Sequence, residues 1–373
     1  MISVAEASAR ILERTDALGA ETIDTSKASQ RVLAAPVVAP ITSPPWDNSS
    51  MDGYAVRSGD LADAQTYLRV VGTIAAGQFA ASPLTAGETM RIMTGAAVPR
   101  GADSVIRRED SDEGLESVTF TSLRDLGRNI RRAGEDFHSG DLLFPAGESL
   151  SAAHVGVLAS AGIKTVDVHR APRVAIISSG DELVELSDFT ADLASQRIVS
   201  SNSLTLAILV REAGGEPVYL GIARDDPASL RTLLERTRGC DLVITSAGIS
   251  VGDHDHVRAA VAALGGELIF WRVRMRPGAP LAFGTIHKIP WLGMSGNPVS
   301  AIVTFEVFVR PVIRRMLGFR KIFRQTINVT VSEEIRLAAP LMHFLRAVVT
   351  LSADGLYTSR LAGSQSSSVL TAT

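Results

Sequence analysis

Residues 241–257 read DLVITSAGISVGDHDHV, and this stretch constrains the fold more than any other. Leu242, Val243, Ile244 and Thr245 make a short apolar, β-branched run suited to a strand buried on both faces. A loop of small residues follows (246–252), and Asp253 is placed to cap a helix running on through Val257, Ala259, Ala260 and Val261. A strand that ends in a glycine-rich loop and enters a helix gathers unpaired backbone N–H groups and the positive helix end at one point, which suits an anion. The same residues also fit an ordinary tight strand-to-helix turn. In open α/β sheets such a turn lies at the carboxyl ends of the strands, where ligands bind.

The flanking chain repeats the pattern. Strand 174–177 runs into SSGDE (178–182), and a helix at 203–213 stops at Gly214. Strand 217–220 leads to RDDP (224–227) and a helix at 227–238. Beyond the central stretch come strand 267–273, the loop RPGAP (276–280), strands 281–284 and 291–294, and SGNPVS (295–300) opening a long helix. Repeated strand–helix units predict a doubly wound α/β sheet, covered on both faces, with its polar loops along one edge.

Outside that region the periodicity changes. Residues 67–146 show short strands punctuated by glycine, which predicts a small all-β module. Helices are predicted at 2–18, at 29–38, and at 151–161, the last with Ser151 as its cap and Gly162 at its end. After residue 324 the pattern is β again. At 373 residues the chain exceeds what one hydrophobic core serves, so several domains are expected. We divide it into a helical linker and dimerisation subdomain (1–45 with 147–171), the β module (46–146), the doubly wound domain (172–323) and a C-terminal β domain (324–373).

A net charge of -3 offers no general attraction for nucleic acid. The single cysteine, Cys240, excludes a disulfide within the chain and reads as a small core residue. The N-terminus carries Glu6 and Arg10 where a signal peptide would be apolar, and no apolar run approaches the ~20 residues of a membrane span. A cytoplasmic protein with no membrane span is expected.

Several motifs carry chemistry. GISVG (248–252) matches the nucleophile elbow of α/β-hydrolases, with His287 and His343 downstream, but no HGGG-type oxyanion segment precedes it. DHDH (253–256) offers imidazoles and carboxylates to a metal, or equally a capping aspartate with two solvated histidines. Asp181, Glu182, Asp225, Asp226, Asp253 and Asp255 all sit in loops after strands. One such residue is usually a cap; several converging would need a cation among them, and hard oxygen ligands suit Mg²⁺. Arg272, Arg274 and Arg276 alternate along a predicted strand and so should share one face, either as a solvated edge or as an anion clamp. The segment 43–56, SPPWDNSSMDGYAV, is a rigid polar loop bracketed by Trp46 and Tyr54. Carboxylates beside anion-binding loops point to a phosphate-bearing ligand held with Mg²⁺.

Taken together, PPWDNSSMDGYAV, IMTGAAVP, ISSGDELVE, GIARDDP, TSAGISVGDHD, RMRPGAPLAFG and SGNPVSAIVTFEVFVRP resemble the molybdopterin molybdenumtransferases, the family of MoeA and the gephyrin E domain. The match runs nearly the whole chain in family order, and MDGYA, SGDE and SGNPVSA together are highly specific. The resemblance implies an elongated homodimer whose third domain is similar to MogA. Adenylylated molybdopterin would bind between the doubly wound domain of one copy and the β module of the other. Molybdate would be inserted and AMP released with Mg²⁺ assisting.

Carried over by motif, the catalytic residues are Asp52, Thr94, Asp136, Glu182, Asp225 and Asp255, with Glu182 and Asp225 as metal ligands. Arg131, Ser250, Arg272, Arg276, Gly296, Asn297 and Ser300 would bind substrate and oxyanion. Arg272 and Arg276 stand where the family usually has lysine. Other departures are Ala279 for the second lysine of KPGKP, Ala247 for a glycine of the organising loop, and Ser295 for a proline. They motivate an alternative: a gephyrin-like scaffold with weak or no catalysis, meeting a protein partner through the C-terminal β domain.

Overall fold

The computed structural model describes residues 1–247, 261–337 and 340–372. Its centre is a six-stranded sheet in the order Glu216–Ala223, Arg173–Ser179, Leu242–Ser246, Ile289–Met294, Leu281–Ile286, Glu267–Trp271. The first four strands are parallel. Leu281–Ile286 runs antiparallel to both its neighbours, so the doubly wound sheet carries an antiparallel edge. His287 and Lys288 make the hairpin turn there with φ of 52° and 67°. Two successive left-handed residues match the twist of the paired strands.

Alternation along the strands sorts the core into two halves. Val174 and Ile176 face one side with Leu206 and Val210 of helix Ser201–Ala213 and with Phe305, Phe308 and Val312. Ala175, Ile177 and Val243 face the other with Leu234, Val261 and Leu264. Each fully buried Ile or Val contributes roughly 1.5–3 kcal/mol, so both faces must stay covered. The long helix predicted after Asn297 forms as Pro298–Thr304, a π-helical turn Phe305–Val309, and Arg310–Met316. Pro311 has no N–H to give the ladder, and the wider turn just before it absorbs that loss.

Helix Val4–Leu12 is shorter than predicted and is capped by the Ser3 hydroxyl, which accepts from Glu6 N–H at 3.1 Å. Ala7 and Ile11 bury against the sheet's first core half. The helix expected at 29–38 is absent. Pro36 and Pro40 flank extended chain, Gln30 takes a φ of 65°, and Val37–Val38 pairs with Leu142–Phe144. Strand Ala20–Asp24 pairs antiparallel with Thr165–His169, so the segments expected to be a helical linker also hold β structure. Helix Ala152–Ser160 has its predicted Ser151 cap, in a reciprocal box with His154.

Residues between these segments hold a five-stranded sheet, Ser104–Arg107, Gly53–Val56, Glu88–Ile92, Leu68–Ile74, Ser117–Val118. Its two faces are filled by Tyr54, Ile106 and Phe120 and by Ile74, Ile92 and Val105. Toward the C-terminus, Thr330–Val331, Tyr357–Leu361 and Ala347–Leu351 form a three-stranded sheet. Met342–His343 pairs instead with Met275–Arg276, tying this end of the chain to the central domain. No described helix is long and apolar enough to cross a membrane.

Candidate active site

Strand Arg173–Ser179 is followed in sequence by its neighbour on one side, Glu216–Ala223, and then by its neighbour on the other, Leu242–Ser246. This reversal opens a crevice at the carboxyl ends of the strands. It is occupied by a cavity of about 530 Å³, lined by Ser178, Ser179, Glu182, Asn202, Ser246 and Gly296 among others. The lining hydroxyls follow from the sequence SS at one strand end, SSNS at a helix start and TS at the next strand end. Small side chains there leave room, and each hydroxyl both donates and accepts.

Asn202 knits the crevice together: its Nδ2 donates to Ser246 Oγ at 2.7 Å and to the Gly296 carbonyl at 2.8 Å. Ser200 Oγ donates to Ser178 Oγ at 3.1 Å. Asp225 receives Ser179 Oγ at 3.3 Å and Asp181 N–H at 3.4 Å, while Asp225 N–H donates back to Asp181 at 3.3 Å. Asp226, by contrast, is a helix cap, accepting from Ala228 N–H and Ser229 N–H at 2.9 and 2.8 Å.

A second cavity of about 720 Å³ adjoins the first, lined by Arg276, Ala279, Ser300, Arg336 and His343 among others. Pro280, Ser295 and Asn297 line both. Asn297 opens helix Pro298–Thr304, and the chain near its other end folds over that opening. Val299 N–H donates to the Ser367 carbonyl at 3.1 Å, and Asn297 Nδ2 to Ser367 Oγ at 3.1 Å. Beside the cavity-lining Leu345, Arg346 donates through Nη2 to the Ser364 and Ser366 carbonyls, while its buried Nε and Nη1 have no hydrogen-bond partner.

The departures from the family pattern are visible in the backbone. Ala247 holds a φ of 72°, a left-handed conformation that glycine takes without strain. Ser295 Oγ accepts from Asn297 N–H at 3.3 Å, a turn bond that a proline could not make. Ala279 leaves its share of the second cavity without charge.

In the five-stranded module, Asp52 Oδ1 accepts from Thr94 N–H and Thr94 Oγ1, which holds its carboxyl below the usual range. Arg131 pairs through its backbone with Asn48, and its side chain is exposed. Asp136 N–H donates to the Ser43 carbonyl at 3.1 Å, leaving an exposed carboxylate. Next to Arg131, Arg132 is tied to Asp47 at 2.6 Å.

The expected residues therefore fall into groups. Glu182, Gly296 and Asn297 share the first cavity, and Arg276, Asn297 and Ser300 the second. Asp52, Thr94, Arg131 and Asp136 stand on the β module and line neither. Arg272 lines neither as well, and like Arg274 it lies outside the strand that holds Arg276. Its φ of 74° ends the alternation after Glu267–Trp271, and a new strand begins at Met275. Ser250, Asp253, Asp255 and the GISVG and DHDH motifs lie outside the described residues. His287 sits in the hairpin turn at the opposite end of the sheet from the cavities, which removes it as a partner for a nucleophile there. Among the described residues no group of three or more acidic, histidine or cysteine side chains forms a metal cluster.

Three residues were not singled out from sequence: Asn202, Arg346, and Tyr219, whose hydroxyl donates to Glu185 at 2.6 Å. Burial, then the Glu185 carboxylate, pushes the Tyr219 hydroxyl's pKa up. The SNS triplet at a helix start was the available signal for Asn202. Nothing local marks the others, whose partners are distant in sequence.

The crevice at the strand ends of a mostly parallel sheet defines a ligand-binding α/β class. A profile described as "Probable molybdopterin binding domain" matches residues 175–315, and one described as "MoeA N-terminal region (domain I and II)" matches residues 2–162. The crystal structure of the molybdopterin biosynthesis moeA protein from Pyrococcus horikoshii OT3 superposes with a TM-score of 0.82 at 27% identity, covering 100% of this chain and 92% of that one. Curated relatives named molybdopterin molybdenumtransferase are 40% identical in Nostoc sp. (81% of this chain, 70% of the relative). The relative of that name in Haemophilus influenzae is 36% identical, over 85% of this chain and 78% of its own length. The chain belongs to the molybdopterin molybdenumtransferase family.

Proposed function

We propose that this chain is a molybdenum insertase, placing molybdate into adenylylated molybdopterin with release of AMP. The observation that carries the proposal is the pair of adjoining cavities at the sheet's switch point, sharing the wall of Pro280, Ser295 and Asn297. The first, rich in hydroxyls and helix-start N–H groups, suits the nucleotide and its phosphates. The second suits an oxyanion: Arg276, Arg336 and Ser300 line it, two guanidinium groups and a hydroxyl that can donate to one. Water attacks phosphorus in the phosphoanhydride, and AMP separates from the pterin phosphate. Glu182, on the cavity wall, is positioned to receive the water's proton.

Mg²⁺ belongs to the same proposal. Glu182 and Asp225 stand on neighbouring strand ends, and two carboxylates are the share Mg²⁺ takes when phosphate and water complete its shell. Bound there, it would neutralise phosphate charge. The β-module residues Asp52, Thr94, Arg131 and Asp136 would then face the groove of a second copy, with Arg272, Ser250 and Asp255 supporting the substrate. The four-part division at residues 45, 146, 171 and 323 is part of this reading. The relatives bear an enzyme's name, which leaves the scaffold alternative unsupported.

The test is to incubate the purified protein with adenylylated molybdopterin, molybdate and Mg²⁺. AMP and molybdenum cofactor should appear in equal amounts; absence of AMP above background would refute the assignment.

A further inference from the structure

Leu183, Ile198 and Val199 form one wall of the first cavity. That wall is a flap held together by little: Leu183–Val184 pairs with Ile198–Val199, Ile198 N–H donates to the Glu182 carbonyl at 2.9 Å, and Ser200 N–H to the Val184 carbonyl at 2.9 Å. A two-stranded pair this short does not hold its own position in water. The chain between its strands forms only short 3-10 turns, with Leu186 exposed.

Among the described residues, the side-chain hydrogen bond that joins residues 183–199 to the six-stranded sheet comes from Tyr219, whose hydroxyl donates to Glu185 Oε1 at 2.6 Å. Tyr219 stands on the edge strand Glu216–Ala223, opposite Ile176, where a register shift follows immediately. One phenol therefore ties the flap to the edge strand of the six-stranded sheet.

We propose that the Tyr219–Glu185 bond is a latch that sets the cavity wall, and with it Glu182, so that Tyr219 is a positioning residue for the nucleotide-bearing substrate. The proposal rests on the reading that this cavity receives the nucleotide. The bond crosses from a rigid sheet to a weakly held flap, so its loss frees the wall while the sheet stays folded. Glu182 is three residues from Glu185 and moves with it. The phenol is needed for its donor; its ring packs equally well without it.

The decisive variants are Tyr219→Phe, which removes the donor and keeps the ring, Glu185→Ala, which removes the acceptor, and Glu185→Gln, which keeps an acceptor oxygen. Amide hydrogen exchange in the unliganded protein reads the wall directly and needs no substrate. Exchange across 182–199 should rise roughly tenfold in Tyr219→Phe and Glu185→Ala, with Glu185→Gln close to the parent protein and the double variant no worse than Glu185→Ala. KM for adenylylated molybdopterin should rise about as much, and kcat should fall several-fold as well, because Glu182 loses its position together with the wall. Unchanged exchange in Tyr219→Phe, or Glu185→Gln as loose as Glu185→Ala, would overturn the latch. A parent protein that releases no AMP, beside variants whose flap loosens as expected, would refute the insertase reading and leave the latch standing.

Discussion

Asp52 and Thr94, far apart in sequence, meet through one oxygen: Asp52 Oδ1 accepts the Thr94 hydroxyl at 2.7 Å and the Thr94 N–H at 2.7 Å. Asp52 itself is exposed. The Thr94 hydroxyl, followed by its N–H, depresses the Asp52 pKa. A carboxyl depressed on folding adds stability above the unfolded value, near 3.8, and loses it as pH falls through the lower folded value.

Replacing Thr94 by valine removes the hydroxyl and keeps the N–H. The Asp52 pKa should rise toward the ordinary carboxylate value while remaining somewhat depressed, as read by carboxyl carbon NMR titration. Stability at neutral pH should fall by less than about 1 kcal/mol, because the pair is exposed to water.

If the β module serves the groove of a second copy, two inactive variants should complement. Asp52→Ala and Glu182→Ala homodimers should each lose AMP release. Mixing and reassociating them should restore roughly a quarter of normal activity, since random pairing leaves one intact composite groove in half the dimers. No recovery in a verified heterodimer would place both residues in the same subunit's groove.

Ala247→Gly should stabilise the protein by about 1 kcal/mol or less. It relieves the left-handed strain at 72°, partly offset by the added freedom of glycine in the unfolded chain. Thermal unfolding of the two proteins side by side measures this, and a lower Tm in the glycine variant would contradict it. The Cβ of Ala247 is also what a side chain at Gly296 would strike, at 3.0 Å, so Gly296→Ala should be tolerated better in the Ala247→Gly background.

Asn202→Ala unties two strand-end loops at once. The loss of bonds to Ser246 Oγ and the Gly296 carbonyl should cost on the order of 1–3 kcal/mol. It should also weaken AMP binding by calorimetry, whereas Asn202→Asp should recover at most the Ser246 bond, by accepting from its hydroxyl, since a carboxylate cannot donate to the Gly296 carbonyl.

The doubly wound centre was readable because its strands are short, continuous apolar runs suited to burial on both faces, as Val174–Ile177 and Leu242–Thr245 are, bounded by polar and glycine-bearing turns. The polar strand ends were readable for the same reason: SSGDE, RDDP and SGNPVS interrupt apolar runs. Physical chemistry of the segment alone misled where tertiary context decided. Residues 29–38 were expected as a short helix, but Pro36 interrupts them and Pro40 follows, and Val37–Val38 finds a strand partner in Leu142–Phe144. Arg272, Arg274 and Arg276 alternate in sequence, but a single left-handed residue breaks the face they would have shared. Arg346, Tyr219 and Glu185 gain their significance from neighbours that no local pattern reveals.

Asn297 and Ser295 are a common partition between two chambers. A guest that shifts this partition changes the fit of the guest next door, and by thermodynamic reciprocity the second must alter the first by the same factor. If nucleotide and oxyanion fill these two chambers as proposed, each should change the other's affinity by one and the same factor.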